Sequence, residues 1–245
     1  MCYNLSYLES KQQKYAERYK ELLPGSTVKQ AIQDKLPIYY FVSGFSHPLL
    51  PIVKHDGIFS FEWGLIPFWI KDNKAAKDIQ DMTLNAVGET VFEKPSFRNS
   101  VNIKRCLLGI NGFYEWRDAN KVKYPYFIHT KSSDIFSVGC IYESWTDKNT
   151  GEIRNTFSIL TTPDNPLLES IHNLKKRMPL ILSQEDEKKW IDPKLTPAQI
   201  NELIKPYAES DMAVFTVSQN VNSVWNNRNI PESIEKFDYP ELSSL

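Results

Sequence analysis

Arg105-Cys106-Leu107-Leu108-Gly109-Ile110-Asn111-Gly112-Phe113-Tyr114-Glu115-Trp116-Arg117 is the stretch on which the reading of this chain turns. Residues 106–110 form a short apolar run of the kind that makes a buried strand. Asn111-Gly112 is the strongest local turn signal, since both residues tolerate positive φ, and a second strand is expected to re-emerge at 113–116. That strand carries one carboxylate, Glu115, among three large aromatic rings. Facing water, Glu115 would be an ordinary strand residue. Facing the apolar side, its charged form would be disfavoured, which suits proton transfer near neutral pH.

Working outward, strand-like runs follow at 124–130, 135–145 and 156–161, the last two joined by a hairpin loop at 147–151. Further strands are expected at 37–45, 58–61, 178–182 and 212–218. Residues 8–23 place Tyr15, Tyr19, Leu22 and Leu23 on one face at helical spacing, and Pro24-Gly25 stops that helix. The polar stretch 71–93 reads as short helices and loops. A short helix follows Pro166, and Ser183 caps another, ahead of Glu185, Asp186 and Glu187. Thr196-Pro197-Ala198-Gln199 combines a capping box with proline at the first helical position. Many short strands with interspersed helices predict an α+β fold. The expectation is a single domain over 1–230, with a curved, largely antiparallel β-sheet or barrel core and peripheral short helices, then an irregular tail over 231–245.

At 245 residues and 41% hydrophobic content the chain can bury a substantial core. A net charge of −1 gives no global pull toward nucleic acid, so such binding must come from local patches. Cys2, Cys106 and Cys140 form no CxxC pair and no closely spaced framework. This argues against a structural zinc or a disulfide scaffold and fits a reducing compartment. No signal peptide is read at the N-terminus, and no apolar run approaches the roughly 20 residues of a membrane span. A soluble, cytoplasmic monomer with no metal and no cofactor is expected.

Cys2 is the second landmark. Methionine aminopeptidases generally remove Met1 ahead of a small residue, which would leave cysteine first. Its amine (pKa about 8) and thiol (about 8.5) are then adjacent nucleophiles. Together they can trap an aldehyde: the amine forms a Schiff base, and the thiol closes a five-membered thiazolidine on the same carbon. Asn85, in Asn85-Ala86-Val87-Gly88-Glu89-Thr90, is suited to hold a sugar hydroxyl or to cap a helix. His172, in a polar loop near Arg177, is suited to shuttle protons or contact phosphate, or to sit on the surface. Between Lys94 and Lys131, eight Lys/Arg stand against two acids, Glu115 and Asp118. With Trp63, Trp69 and Trp116 these cations either form a groove for single-stranded nucleic acid or a solvated basic face.

Taken together, these pieces resemble the SRAP (SOS response-associated peptidase) family. The chain holds, in that family's order, Met1-Cys2, Trp63-Gly64-Leu65-Ile66-Pro67-Phe68-Trp69, Asn85-Ala86-x-x-Glu89-Thr90 and Lys94-Pro95-x-Phe97-Arg98. Arg105-Cys106-Leu107, Gly112-Phe113-Tyr114-Glu115-Trp116 and Arg177-Met178-Pro179 follow, then Val217-Ser218 and Val221-Asn222. The resemblance implies an SRAP-like domain that recognises abasic sites in single-stranded DNA and crosslinks covalently to the ring-opened sugar. Cys2 would be the nucleophile, Glu115 the acid/base, and His172 a proton-transfer group that also serves crosslink reversal. Asn85 would hold Cys2 and the sugar in register. Thr161 would lie near the lesion, with Trp69, Lys94, Arg98 and Arg177 on bases or phosphates. The chain departs from the family pattern at Tyr3 and Asn4 in place of Gly-Arg, at Val87 in place of arginine, and in the longer spacing from His172 to Arg177. Two arginines fewer predict weaker DNA binding with a flatter salt dependence. Two other classes compete: a peptidase or amide hydrolase using Cys2 through an acyl-enzyme, and a non-catalytic single-strand DNA-binding module.

Overall fold

The computed structural model describes residues 2–8, 12–23, 37–171 and 176–244. Its strands are β1 (Asn4–Tyr7), β2 (Tyr39–Ser43), β3 (Leu49–Lys54), β4 (Gly57–Trp63), β5 (Asn85–Val87), β6 (Arg105–Ile110) and β7 (Gly112–Ala119). After them come β8 (Val122–Thr130), β9 (Phe136–Thr146), β10 (Ile153–Pro163), β11 (Arg177–Pro179), β12 (Ile181–Leu182) and β13 (Met212–Thr216). The α-helices are short: α1 (Gln12–Arg18), α2 (Asn73–Gln80), α3 (Arg98–Ile103), α4 (Pro166–Ile171), α5 (Gln184–Trp190) and α6 (Pro197–Leu203).

β13, β8, β7, β1 and β2 lie side by side in one antiparallel sheet. The second sheet closes on itself. β10 pairs with β4, β4 with β3, β3 with β6, β6 with β9, and β9 back with β10. Only the β4–β10 pairing in this ring is parallel. β5 and β11 add to β10, and β12 adds to β9. This is the α+β architecture expected, a largely antiparallel barrel core with short helices around it. Every residue of β6 is buried, because the strand is covered on both faces. Arg105, at its start, is satisfied inside by the carbonyls of Val101, Asn102, Trp190 and Asp192. Both predicted caps are present: Ser183 Oγ accepts from Asp186 N–H, and Thr196 forms a full capping box with Gln199.

The local expectations need correction in several places. Asn111-Gly112 is not a hairpin turn, and neither residue has positive φ. β6 belongs to the barrel and β7 to the other sheet, so these two residues carry the chain from one sheet to the other. Asn111 is held there by Leu8 N–H on its Oδ1 (2.7 Å) and by its own Nδ2 on Asp134 O (2.7 Å). Gly112 is needed because a Cβ would stand 2.2 Å from Phe127 Cζ. β1 and β3 were not expected. β1 is buried on both faces, so its sequence Asn-Leu-Ser-Tyr shows no alternation to read. The expected 8–23 helix is α1 followed by turns over 19–23, and Pro24-Gly25 lies outside the described residues. Residues 178–182 are two short strands, one on β10 and one on β9. Segment 231–244 runs through 3-10 turns and is tied down by Tyr114 Oη on Ser233 O (3.2 Å) and Tyr239 Oη on Val217 O (2.8 Å).

Candidate active site

β1 and β7 pair with Leu5 opposite Phe113 and Ser6 opposite Gly112. From that register one strand leads back to Cys2 and the other forward to Glu115. Side chains alternate along β7, so Phe113 and Glu115 share one face while Tyr114 and Trp116 share the other. The second face packs on Phe41, Phe127, Val217 and Val221. Glu115 therefore does not face water; it is 4% exposed, and Cys2 is fully buried. Cys2 Sγ lies 3.8 Å from Asn4 O. Burial pushes the Cys2 thiol far above its ordinary range, and the negative charge of Glu115 pushes it further. Burial, then Glu115, then Cys2 likewise push the Tyr3 hydroxyl up. Tyr3, which entered the sequence reading only as a departure, thus lies in the same electrostatic cluster, its ring 5.2 Å from that of Phe45.

Asn85 opens β5, opposite Ile159 on β10, and caps no helix. It is 8% exposed, and among the described residues neither its Oδ1 nor its Nδ2 has a hydrogen-bond partner. A buried amide left so costs about 1–3 kcal/mol and has both polar atoms available for hydrogen bonding. Asn85 lines a cavity of about 320 Å³ with Met82, Thr90, Lys94, Ser96 and Phe97. Lys94 is thereby brought to Asn85, whereas Arg98 is exposed at the start of α3 and does not line the cavity.

Thr161 is fully buried on β10, opposite Val87 and Pro179. Arg177 comes to it from β11. Its Nε donates to Thr161 Oγ1 (3.1 Å) and its Nη2 to Thr161 O (2.6 Å). Nη1 and Nη2 also clamp both oxygens of Glu89 at 2.8 and 2.6 Å. The bidentate pair holds the Glu89 carboxyl below its usual range. Arg177 is thus already balanced by an acid, which its sequence context did not signal. His172 and Lys175 lie outside the described residues.

Of the basic residues of 94–131 and the tryptophans read with them as either a groove or a solvated face, several are engaged elsewhere in the fold. Trp63 is fully buried, stacked on Phe157 with its Nε1 on Leu84 O (2.9 Å). Trp116 is on the opposite face of β7 from Glu115, with Nε1 on Asn222 Oδ1 (2.6 Å). Lys104 is paired with Glu143, and Arg105 is internal. Trp69, at 46% exposure, is the one of those three tryptophans open to stack on a base.

A carboxylate that sequence reasoning passed over, Asp164, directly follows β10. Pro-Asp-Asn reads as ordinary turn composition, so nothing signalled it. Its side chain is buried, its N–H donates to Lys176 O (3.2 Å), and burial pushes its pKa up to about 6. The next residue, Asn165, caps α4 through Oδ1 on Leu168 N–H (3.0 Å). α4 packs against β7, the strand of Glu115.

Fold and site together define an α+β barrel protein whose second residue, a cysteine, is buried at the start of β1, the strand paired with the one that carries a buried glutamate. The chain belongs to the SOS response associated peptidase (SRAP) family, whose model matches residues 1–224. It is 43% identical over 175 residues to the abasic site processing protein YoqW of Bacillus subtilis (strain 168), covering 71% of this chain and 74% of that one. It is 30% identical over 190 residues to the abasic site processing protein HMCES of Gallus gallus, covering 69% of this chain and 55% of that one. A crystal structure of a Bacteroides thetaiotaomicron protein superposes with a TM-score of 0.88 at 39% identity, covering 97% of this chain and all of that one (100%). A Bordetella bronchiseptica protein, at 18% identity and a TM-score of 0.73 over 89% of this chain and 100% of its own, shares the fold. Among the described residues no helix is long and apolar enough to cross a membrane.

Proposed function

We propose that this protein recognises abasic sites in single-stranded DNA and, once Met1 is removed, becomes covalently joined to them through Cys2. The observation that carries this reading is the burial of Cys2 beside Glu115, a paired nucleophile next to a carboxylate. The family and the names of the relatives support abasic DNA as the substrate.

The α-amine of Cys2 adds to C1′ of the ring-opened deoxyribose, whose aldehyde oxygen leaves as water, giving a Schiff base. The thiol then adds to the same carbon and loses its proton, closing the thiazolidine. Two bonds to C1′ form, N–C and S–C, the C=O bond is lost, and one water is released. A thiol held protonated by burial and by Glu115 suits this order, with the amine attacking first. Glu115 moves the proton in ring opening and receives the thiol proton at closure. Asn85 directs its amide at the sugar, and His172 assists proton transfer and reversal. Trp69 stacks on a base; Lys94 and Arg98 meet phosphates. Thr161 shapes the lesion side, and Arg177, held by Glu89, orients it and adds less charge than a free arginine.

The test uses protein with its N-terminus established by mass spectrometry and single-stranded DNA bearing one abasic site. On a denaturing gel, wild type should give a shifted band that Cys2→Ala and Cys2→Ser lack and that Glu115→Gln forms slowly. No band from Met1-free wild type refutes the crosslinking reading. A Cys2→Ala protein that binds the DNA as well as wild type, with no adduct in either, would mark a passive binding module instead.

A further inference from the structure

We infer that Tyr3 and Tyr126 are base-stacking residues that straddle Glu115 and receive the bases on either side of the abasic nucleotide. This rests on the reading of Glu115 as the carboxylate that meets the bare sugar. The row is set by register. On one side Glu115 stands directly opposite Tyr126 across the β7–β8 ladder. On the other, β1 pairs with β7 through Leu5 and Phe113, and that ladder continued by two residues sets Tyr3 across from Glu115. The far edge of β1 holds the continuation in line: Asn4 pairs with Ser43, and Tyr3 O accepts from Gly44 N–H (2.8 Å). Residues opposite one another in an antiparallel sheet share a face, so Tyr3, Glu115 and Tyr126 form one row over three neighbouring strands. Both tyrosines pack on the core that includes Cys2, Leu5, Phe113 and Ile128. Glu115 is 4% exposed, whereas the two tyrosines are only half-buried.

Two inter-strand spacings, roughly 10 Å, separate the strands of the two tyrosines. That gap suits a DNA strand in which one base is missing. The flanking bases meet the two rings, and the baseless sugar lies between them, over Glu115. An intact nucleotide would bring its base into the gap, against the carboxylate and with no ring to stack on. Phe45, 54% exposed, extends the Tyr3 side, its ring 5.2 Å away. Stacking also supplies what this chain lacks. Asn4 and Val87 stand where the family pattern has arginine, so contacts that do not use phosphates take a larger share of the binding. Tyr3 stands where that pattern has glycine, which offers no ring at all.

The test uses Met1-free protein and single-stranded DNA with a tetrahydrofuran in place of the abasic sugar, which has no aldehyde and so separates binding from crosslinking. The fluorescent base 2-aminopurine is placed on its 5′ side, on its 3′ side or several nucleotides away. Wild type should quench the two flanking probes and leave the distant one unchanged. Tyr3→Leu should lose the quench on one side and Tyr126→Leu on the other, each binding about tenfold more weakly. Tyr3→Phe and Tyr126→Phe should behave as wild type. The slope of log K against log salt should be the same in every variant, since no phosphate contact is lost. A packing role alone would lower the melting temperature and leave quench and affinity as they are. Unchanged quench and affinity in both Leu variants overturn the proposal, as does weaker binding that comes with a shallower salt slope. Should a Leu variant not fold, 5-iodouracil beside the tetrahydrofuran is irradiated with wild type, and photo-crosslinks that map away from both tyrosines overturn it equally. Natural abasic DNA is then offered to the same proteins. Flanking quench in a protein that forms no adduct keeps this assignment and sinks the crosslinking chemistry. An adduct without flanking quench does the reverse.

Discussion

Leu5 stands opposite Phe113 across the β1–β7 ladder, and this register brings Cys2 to Glu115. A slip of one residue would turn Glu115 to the face now held by Tyr114 and Trp116 and leave Cys2 without its carboxylate.

Glu115→Gln removes a charge that now pushes the Cys2 thiol up. Alkylation of Cys2 by iodoacetamide at a fixed pH should therefore become faster, its pH profile moving to lower pH. Crosslinking should slow by about 10²-fold or more, since a general acid/base is lost. The two rates moving in the same direction would contradict the roles given to the pair.

Asn85→Leu replaces a buried amide that has no hydrogen-bond partner among the described residues by an apolar group of similar size. The variant should be more stable by about 1 kcal/mol, raising the melting temperature by roughly 2–4 °C for a chain this long. Abasic-DNA adduct formation should fall sharply. A calorimetric scan showing a lower melting temperature would mean the amide is satisfied in the fold and not kept for a ligand.

Glu89→Gln releases the charge of Arg177, which the acid now balances through two hydrogen bonds. Binding to single-stranded DNA should tighten, and the plot of log K against log salt should steepen by about 0.7, the value for one further phosphate contact. An unchanged slope in fluorescence anisotropy titrations would leave Arg177 with a purely structural part.

Asp164 gives stability an uncommon pH sign. Its folded pKa, about 6, lies above the ordinary 3.8, so the protonated form suits the fold. This contribution is full below the unfolded pKa and is lost as pH rises through the folded one. The gain in melting temperature of Asp164→Asn over wild type should grow between pH 4 and pH 7. Glu62 and Glu89 have lowered pKa values, so their contribution fails in the other direction, as pH falls below the carboxylate range.

Much of the barrel was readable because its strands are long and bounded by turn residues, as in the β9–β10 hairpin, and because caps such as Ser183 and Thr196 act locally. β1 was not readable, since a four-residue strand buried on both faces has no period. Asn111-Gly112 misled because the same dipeptide serves a close approach, here to Phe127, as well as a tight turn. Cys2, Glu115 and Asn85 were legible as motif residues. What they face was not: the glutamate on Arg177, the burial of Trp63 and the placing of Asp164 all depend on contacts between distant segments.

The internal position of β1 also sets an order of events during synthesis. Leu8 is anchored by Asn111, 103 residues later in the chain, and β1 cannot be enclosed until β7 has been made. Such long-range pairings form late. The first residues to leave the ribosome are therefore among the last to be folded in, and throughout that interval the amino end stays open to solvent. Topology alone thus fixes an order: Cys2 is uncovered while the chain is nascent and enclosed when the sheet closes over it.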